Sequence, residues 1–222
     1  MSVELIVSSP KALCLIGGAP IEKTDISAVF HHVEAFIGVD GGANHLISAK
    51  IHPAAVIGDL DSLSDQARAL FADLLHHVPE QSTTDFEKAL TRVAAPLILA
   101  LGFTGGRMDH TLSVLNVMVR FSDRAIVLID KDDVCFVVPR GVTTFHAPQG
   151  MRISIMPLAP ATVTVSGVQW SFENMLMTPA GFTSPSNAAL GGAVTIQTAD
   201  PVLVTLPRAL LETALTAAVR AG

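Results

Sequence analysis

The first 130 residues alternate apolar runs with amphipathic segments. The apolar runs are short and lead into glycine or aspartate, which is typical of buried strands that end in loops. They predict strands within residues 12–18, 35–44, 54–62, 96–103 and 125–130. Apolar residues at helical spacing predict helices at residues 45–50, 64–75, 83–93 and 109–121. This alternation predicts an α/β fold with a mainly parallel, Rossmann-like sheet.

The pattern changes near residue 138, where the turn-rich stretch "VPRGVTTFHAPQG" begins. Short alternating runs then follow, separated by Gly, Pro and Asn, as in an all-β sandwich. The last fifteen residues, "RALLETALTAAVRAG", have the composition of a terminal helix. We therefore expect two domains, an α/β catalytic domain at residues 1–138 and a β-sandwich domain at residues 139–222, with the boundary between 138 and 142.

The composition narrows the class of protein. Half of the 222 residues are apolar, so a substantial core can form, and the formal net charge is −6. A chain without a basic field is a poor partner for nucleic acid or an anionic membrane. The longest apolar run is broken by Pro96 and is too short to span a bilayer. We therefore expect a soluble, cytoplasmic protein that binds neither nucleic acid nor membrane. Cys14 and Cys135 lie in apolar runs and read as buried hydrophobic residues.

Acidic residues follow several of the predicted strands. Asp40 ends the second strand, and Asp59 and Asp61 end the third within "VIGDLDSL". Ligands bind outside the carboxyl ends of the strands in open α/β sheets, so these carboxylates should share one edge. The same edge receives the loop "TGGRMDH" and the predicted helix start "TTDF", and it therefore gathers a further set of polar residues: Asn44, Ser62, Asp85, Arg107 and Asp109.

Carboxylates this close together tolerate one another when a hard cation lies between them. Mg²⁺ takes oxygen ligands and commonly bridges carboxylates to substrate phosphates. Gly105 and Gly106 allow backbone N–H groups to approach phosphate oxygens, and Arg107 can bind a phosphate with two hydrogen bonds. The pattern favours metal-assisted transfer of a phosphoryl or pyrophosphoryl group.

Each of these motifs is weak by itself. A D-x-D pair, "DGGAN" and "GGRMDH" are common in turns, and Asp85 would also suit a helix N-terminus with Thr84 or itself as the cap. The pairs His31–His32 and His76–His77 read as solvated residues in last helical turns rather than as metal ligands. Together, however, all four acidic and glycine motifs fall at predicted strand ends or helix starts, and this coincidence favours a functional site.

Taken together, "DGGAN", "GDLDS", "TTDFEKAL" and "GGRMDH", followed by Asn116, resemble the thiamine pyrophosphokinase family. In the second half, "SGVQWSFEN", "SPSN" and "VTIQTADPVLVTLP" resemble that family's thiamine-binding β-domain. The resemblance extends from about residue 12 to residue 206. It implies transfer of the pyrophosphoryl group of ATP to the thiamine hydroxyl, with Mg²⁺, in a homodimer whose active sites use both subunits.

The resemblance also implies roles for particular residues. Asp59, Asp61 and Asp85 would hold Mg²⁺, and Arg107 and Asp109 would lie in the same phosphate region. ATP contacts would come from this region and its neighbours: Asn44, Ser62, Thr84, Lys88, Gly105, Gly106 and Arg107. Thiamine would contact Asp40 and, from the β-domain of the partner subunit, Trp170, Ser186 and Asn187. Either Asp40 or Asp109 would accept the hydroxyl proton.

The chain departs from the family pattern shortly before Thr84–Asp85. Many members carry a further acid there, whereas this chain has Gln81, Ser82 and Thr83, with Glu80 displaced by a residue or two. The number of metal ions is therefore open. Other functions also remain open at this point: a pyrophosphokinase for another hydroxymethyl heterocycle such as a pterin, a D-x-D nucleotide-sugar transferase, or a sensor that binds thiamine without turnover.

Overall fold

The computed structural model describes residues 4–221. The chain divides into two compact units, Met1–Leu115 and Asn116–Gly222. This division falls inside a helix, Met108–Arg120, and therefore lies upstream of the domain boundary expected near residue 138. That boundary remains a prediction. None of the described helices is long and apolar enough to cross a membrane.

The first unit alternates strands and helices as the apolar pattern predicts. In chain order its elements are β1 (Val7–Ser8), β2 (Leu13–Ile16), α1 (Lys23–Val29), β3 (Ala35–Val39), α2 (Ala43–Ala49), β4 (Ala55–Gly58), α3 (Asp65–Leu70), β5 (Leu75–His77), α4 (Asp85–Leu90), β6 (Val93–Ala94), β7 (Ile98–Leu101) and α5 (Met108–Arg120), the helix that contains the division. Five of these strands form a parallel sheet in the order β7-β2-β3-β4-β5. Four of them, β2, β3, β4 and β7, are buried at every residue except Ala35 at the start of β3, which explains their unbroken apolar sequences.

The strand order defines where a ligand can enter. The chain runs from β2 outward through β3, β4 and β5, and β7 then returns to the other side of β2. The strand order therefore reverses at β2, and in open α/β sheets this reversal opens a crevice at the carboxyl ends of the strands. Of the predicted acids, Asp40 follows β3, and Asp59 and Asp61 follow β4, next to this crevice.

Helix starts in the first unit follow the expected capping chemistry. The Ser64 hydroxyl accepts a hydrogen bond from Ala67 N at 3.2 Å, and the Thr84 hydroxyl accepts one from Glu87 N at 3.4 Å. Ser64 is thus the N-cap of α3, and Thr84 rather than Asp85 is the N-cap of α4. Asp85 therefore occupies the first helical position, with its side chain available for other contacts.

Gly42 allows two segments of the sheet edge to meet. A methyl group at Gly42 would lie 1.8 Å from the carbonyl oxygen of Ile16, so no larger residue fits without a backbone shift. The loop after β3 therefore lies directly against the end of β2. This close approach places Asp40 at the reversal of the strand order.

The described residues of the second unit are all-β except for the end of α5, a short 3₁₀ helix at Arg208–Leu210 and the last helix. Its elements are β8 (Ile126–Ile129), β9 (Asp133–Val138), β10 (Gly141–Ala147), β11 (Arg152–Pro157), β12 (Ala161–Ser166), β13 (Phe172–Met177), β14 (Ser184–Ala188), β15 (Gly192–Thr198), β16 (Val202–Pro207) and α6 (Leu211–Ala221). One antiparallel sheet has the order β14-β11-β16-β9-β8, and the other has the order β10-β15-β12-β13.

Alternating sequences supply the core of this unit. β11, β12 and β15 bury every second residue, as half-buried antiparallel strands do. The predicted class, an α/β sheet domain followed by an antiparallel β domain, is confirmed. The predicted terminal helix is confirmed as α6, which packs on β10 and β9.

Three local predictions were wrong. The predicted helix 64–75 ends at Leu70, and the chain then enters β5, so His76 and His77 lie on an edge strand instead of a helical turn. The stretch after residue 138 was read as turn-rich, but Gly141–Ala147 forms β10 with alternate residues buried. Val142, Thr143 and Thr144 are β-branched, and this was the signal for a strand.

Candidate active site

A cleft of about 770 Å³ opens at the carboxyl ends of β2, β3, β4 and β7. Its polar side contains ten of the residues that the sequence predicts for the site: Asp40, Asn44, Asp59, Asp61, Ser62, Thr84, Asp85, Lys88, Gly106 and Arg107. Of the predicted residues in the first unit, Gly105 and Asp109 are not part of this lining. The cleft lies where the strand order reverses, as expected for an open α/β sheet.

Asp40 is the most buried of the predicted acids, with 9% of its surface exposed. It starts the 3₁₀ turn Asp40–Gly42 with a φ of 45°, an uncommon conformation for a residue other than glycine. Burial raises the pKa of Asp40, and hydrogen bonds from the backbone of Gly41 and from Ser62 offset part of this rise.

The turn between Asp59 and Asp61 is anchored by the residue between them. Leu60 has a φ of 65° and packs its side chain into the core with Val56 and Phe71. Arg68 from α3 donates a hydrogen bond to the Leu60 carbonyl at 2.7 Å. The buried side chain and the fixed carbonyl therefore set the geometry of the turn that carries both carboxylates.

Asn44 stabilises the next part of the same loop. Its Nδ2 donates to the Ser62 carbonyl at 3.1 Å, and its Oδ1 accepts a hydrogen bond from Ser64 N at 3.1 Å. The amide group thus ties α2 to the loop before α3. Asn44 lines the cleft as predicted, but these contacts give it a positioning role in the loop.

Three carboxylates converge in the cleft. Ligand oxygens of Asp40, Asp59 and Asp61 all lie within 4.8 Å of one another. Asp40 is buried, Asp59 is partly buried and Asp61 is exposed. Such a set of hard oxygen donors suits Mg²⁺ or a similar cation. The family resemblance implies Asp85, rather than Asp40, as the metal ligand beside Asp59 and Asp61.

Asp85 instead contacts a buried lysine. Lys88 has 2% of its surface exposed, and its ammonium group lies 2.9 Å from Asp85 Oδ1 and 3.3 Å from Asp59 Oδ2. Burial alone lowers the pKa of Lys88, but the hydrogen bonds and charges of Asp85 and Asp59 outweigh it, and the pKa is raised. Lys88 therefore neutralises part of the acidic charge from beneath the cleft.

Asp59 is the residue that joins the two groups. Its Oδ2 accepts hydrogen bonds from Lys88 and from Gln81 Nε2 at 3.2 Å, while its Oδ1 accepts one from Asp61 N at 3.4 Å. Partial burial raises the pKa of Asp59, but these hydrogen bonds and the Lys88 charge lower it overall. Gln81 stands where the family pattern led us to look for an acid, and it contacts Asp59 as a neutral donor.

Glu80, the displaced acid, bonds to the two residues that follow Gln81. It accepts hydrogen bonds from the amide and hydroxyl of Ser82, at 2.8 and 2.6 Å, and from the amide and hydroxyl of Thr83. The bonds from Ser82 and Thr83 lower the pKa of Glu80 to about 2. Its carboxylate is therefore committed to the turn that leads into α4.

Arg107 and Asp109 form an exposed pair at the start of α5. Arg107 donates from Nε to Asp109 Oδ1 at 3.2 Å and from Nη2 to Oδ2 at 2.6 Å. This pairing raises the pKa of Arg107 and lowers that of Asp109. Arg107 lines the cleft, and its guanidinium group makes a bidentate contact with the Asp109 carboxylate.

The three candidate thiamine contacts lie in the second unit, and they differ in exposure. Trp170 is 58% exposed, Ser186 is exposed with a φ of 57°, and Asn187 is only 1% exposed. Ser186 N donates to Ser154 Oγ at 3.1 Å. Trp170 and Ser186 can meet a ligand directly, whereas the Asn187 side chain is enclosed.

Sequence reasoning missed several residues of the cleft. The loop Gly17–Pro20 follows β2, and Phe86 and Phe103 pack edge to face with their ring centroids 4.8 Å apart. Gly17 and Gly18 carried no functional prediction, although a glycine pair directly after the first strand of a predicted α/β sheet was a usable signal. Nothing in the sequence distinguished Phe86 and Phe103 from ordinary core residues.

Two family models match the chain. "Thiamin pyrophosphokinase, catalytic domain" matches residues 26–129, and "Thiamin pyrophosphokinase, vitamin B1 binding domain" matches residues 142–203. The first match contains the three convergent carboxylates, and the second contains Trp170, Ser186 and Asn187.

Curated relatives and solved structures agree with these matches. Thiamine pyrophosphokinase 3 of Oryza sativa subsp. japonica is 30% identical over 182 residues, covering 67% of this chain and 68% of the relative. Thiamine pyrophosphokinase of Bacillus subtilis (strain 168) is 27% identical and covers 87% of this chain and 97% of that protein. The thiamin pyrophosphokinase structure from Geobacillus thermodenitrificans has a TM-score of 0.74 at 25% identity, covering 88% of this chain and 96% of that one.

The structure of thiamin pyrophosphokinase from Candida albicans has a TM-score of 0.78 at 17% identity, over 88% of this chain and 89% of that chain, and this likeness shows the fold. The fold, the acidic cleft and the two matched domains together define a kinase. More particularly, the chain belongs to the thiamin pyrophosphokinase family.

Proposed function

We propose that this protein transfers the pyrophosphoryl group of ATP to the hydroxyl of thiamine, giving thiamine diphosphate and AMP. The observation that carries the proposal is the convergence of Asp40, Asp59 and Asp61 in the cleft of a chain that belongs to this family. A cluster of carboxylates is costly without a cation, because the like charges repel one another. The proposed reaction uses Mg²⁺, which these carboxylates would hold together with the phosphates of ATP.

The residues present fit Mg²⁺. Asp40, Asp59 and Asp61 offer three carboxylate oxygens, the ligand type that Mg²⁺ prefers, and the cleft leaves room for water and phosphate oxygens. Asp85, predicted as a ligand, pairs with Lys88, and we assign it to holding that lysine and the nearby Asp59 backbone, whose N–H lies 3.4 Å from Asp85 Oδ1. Bound Mg²⁺ would neutralise phosphate charge and orient the chain of phosphates.

The side chains of the cleft divide the remaining work. Lys88 and Gln81 hold Asp59 through its Oδ2, so the direction of its other oxygen is fixed. Arg107 can exchange Asp109 for a phosphate group, because both partners accept the same pair of hydrogen bonds. Thr84, Ser62 and Gly106 line the same side of the cleft and are our candidates for further ATP contacts.

Asp40 is the better candidate to accept the proton of the thiamine hydroxyl. The pairing with Arg107 lowers the pKa of Asp109 and occupies both of its carboxylate oxygens, which makes Asp109 a poor proton acceptor. Asp40 would hold Mg²⁺ through one carboxylate oxygen and would accept the proton at the other. Asp40 also lies in the cleft lining, and Asp109 does not.

For the second unit we propose a thiamine-binding role. The exposed indole of Trp170 offers an apolar wall for a heteroaromatic cation, and Ser186 offers a nearby polar group. We further propose a homodimer in which this region of one subunit serves the cleft of its partner. A cytoplasmic location remains a prediction from the sequence.

The direct test is an assay with purified protein, ATP, Mg²⁺ and thiamine, followed by chromatography of the nucleotides and the thiamine species. We expect AMP and thiamine diphosphate in equal amounts. ADP with thiamine monophosphate would contradict pyrophosphoryl transfer. Turnover with a pterin alcohol but not with thiamine would move the proposal to another heterocycle, and thiamine binding without turnover would favour a sensor.

A further inference from the structure

Asn187 and Trp170 are joined by an unusual reciprocal contact in the second unit. Asn187 Nδ2 donates to the Trp170 carbonyl at 2.9 Å, and Asn187 Oδ1 accepts a hydrogen bond from Trp170 N at 3.2 Å. One side-chain amide thus satisfies both backbone polar groups of a single residue. A carboxamide can do this because it carries the same donor and acceptor as a peptide group.

This contact extends a backbone ladder by one position. Gln169 N donates to the Ala188 carbonyl at 2.8 Å, Leu190 N donates to the Gly167 carbonyl at 3.0 Å, and a bridge joins Val168 to Ala189. The backbone pairing of these two segments stops at Gln169. The Asn187 side chain then takes the place of the next backbone partner and fixes Trp170 beyond the end of the ladder.

The hydrogen-bonding capacity of Asn187 is fully used within the protein. Besides the two bonds to Trp170, Oδ1 accepts from Ala188 N at 2.9 Å and Nδ2 donates to Ser184 Oγ at 3.3 Å. An asparagine amide makes about four hydrogen bonds, two as donor and two as acceptor. With 1% of its surface exposed, Asn187 has neither a free group nor access for a ligand.

Trp170 presents the opposite situation. Its backbone is held on both sides by Asn187, but its side chain is 58% exposed. A rigid backbone beneath an exposed aromatic ring limits the directions in which the ring can point, and this lowers the entropy that a ligand must overcome to stack on it. The buried amide therefore acts on the exposed indole through the backbone.

We infer that Asn187 is a positioning residue that orients Trp170 for the thiamine ring and does not contact thiamine itself. The inference rests on the proposed function for its ligand. It revises the direct thiamine contact that the family resemblance implied for Asn187, and it assigns the specificity of this region to the Trp170 ring and the backbone that carries it.

The chain provides a clean optical probe for the test, because Trp170 is its one tryptophan and it contains no tyrosine. Emission excited at the red edge of the absorption band therefore reports Trp170 alone. We would measure its anisotropy and its quenching by acrylamide in the full-length wild type and in Asn187→Ala, together with steady-state kinetics for thiamine and ATP.

We expect Asn187→Ala to lower the anisotropy of Trp170 and to raise KM for thiamine by about tenfold, which corresponds to about 1.4 kcal/mol of binding free energy. KM for ATP should stay within about twofold, because the proposed ATP contacts lie in the cleft of the first unit. If Asn187 acts through Trp170, the double variant with Trp170→Ala should be no worse than Trp170→Ala alone.

Three results would overturn the inference. A raised KM for thiamine with unchanged Trp170 anisotropy would mean that Asn187 meets the ligand itself, and so would additive losses in the double variant. A mobile Trp170 with an unchanged KM for thiamine would mean that the position of the ring does not matter. Wild-type protein that turns over no thiamine defeats the proposed function separately, because the anisotropy comparison needs no ligand.

Thr198→Val is the matched control. Thr198 is also buried, at 4% exposure, and its hydroxyl donates to the Asp200 carbonyl at 2.6 Å on β15. This variant loses a buried hydrogen bond without touching Trp170, so it should lower stability and leave anisotropy and KM unchanged. If Asn187→Ala fails to fold, Asn187→Asp keeps the acceptor and loses the donation to the Trp170 carbonyl, and the same two outcomes decide.

Discussion

Lys88 shows how a single buried charge stabilises the acidic cleft. Its ammonium group contacts both Asp59 and Asp85, and a buried cation of this kind persists only when it is paired. The pairing uses two of the three hydrogen-bond donors of the ammonium group, so the ATP contact that the family resemblance implies for Lys88 stays a prediction. Asp59 remains open to the cleft on its other side, next to Asp40 and Asp61.

Replacing Lys88 with methionine should destabilise the protein at neutral pH. We expect a loss of about 2 kcal/mol in the free energy of unfolding, less than the roughly 3–5 kcal/mol for a fully enclosed pair. The reduction reflects the side-chain exposure of 16% at Asp59 and 33% at Asp85. Urea unfolding measures the loss, and Lys23→Met, on the exposed side of α1, is the control.

The same variant should respond to pH in a defined direction. The pKa of Asp59 is lowered from 3.8, so its charged form contributes stability above that value, and the contribution is lost as the pH falls through the folded pKa. In Lys88→Met, Asp59 and Asp85 lack their cation, and they lower the free energy of unfolding only while they are charged. The stability difference from wild type should therefore be largest near neutral pH and shrink on acidification, and a constant difference would contradict the pairing.

Asp59→Asn should abolish most of the activity while leaving the fold intact. Asp59 belongs to both the three-acid group and the Lys88 pair, so we expect kcat to fall by at least about a hundredfold. Asp85→Asn should act in the same direction through Lys88. Circular dichroism checks the fold, and Asp73→Asn, an exposed acid in the same unit, is the control. Near-normal turnover in both variants would remove them from the reaction.

At the scale of single residues, the sequence predicted which residue types gather in the cleft, but not which of their atoms are in contact. Asp40, Asp59 and Asp61 could be placed together because parallel strands end at one edge. The pairing of Lys88 with Asp85 and the enclosure of Asn187 depend on side-chain depth, which a motif does not encode. For the same reason Glu80, known only as a displaced acid, proved to hold its own turn.

At the scale of elements, the site depends on close contact between neighbouring strand ends. Gly42→Ala should destabilise the protein by about 1–3 kcal/mol, the usual cost of overpacking, because the new methyl group meets the Ile16 carbonyl. Thermal unfolding measures this loss. Gly18→Ala is the matched control, since a Cβ there would lie 3.6 Å from its nearest neighbours, an ordinary contact. Equal stability of the two variants would contradict the close approach.

Elements were predictable wherever burial on both faces produced an unbroken apolar run. β2, β4, β7 and β8 follow such runs, and Ser64 marked the start of α3 as expected. β5 was missed because its two histidines continue a helix-like pattern, and only pairing with β4 shows it to be a strand. β10 was missed because the adjacent Pro and Gly residues obscured the alternation of its buried positions.

At the scale of the whole molecule, the proposed homodimer makes a prediction that neither unit makes alone. Asp59→Asn disables the cleft, and Trp170→Ala disables the proposed thiamine contact in the second unit. If each site combines the cleft of one subunit with the second unit of its partner, mixing the two inactive variants creates heterodimers with one intact site. Random exchange should then restore about a quarter of wild-type activity.

The complementation assay requires subunit exchange, which brief incubation under mildly dissociating conditions and then dilution would provide. Two copies of the same variant, treated identically, are the control. No recovery, with heterodimers demonstrated by a tag on one variant, would contradict shared sites. The sequence could not decide this question, because an apolar composition permits an interface without specifying its location.

Leu60 has a consequence for how the acidic loop responds to heat and to engineering. Its side chain is part of the same apolar cluster as Ala67 and Phe71, while the carboxylates on either side of it face the cleft. The buried Leu60 side chain thus anchors both acids to the core. Their spacing should be lost when this part of the core unfolds, even if the rest of the sheet stays folded. A D-x-D sequence grafted onto another protein without this anchor would carry the charges but not their arrangement.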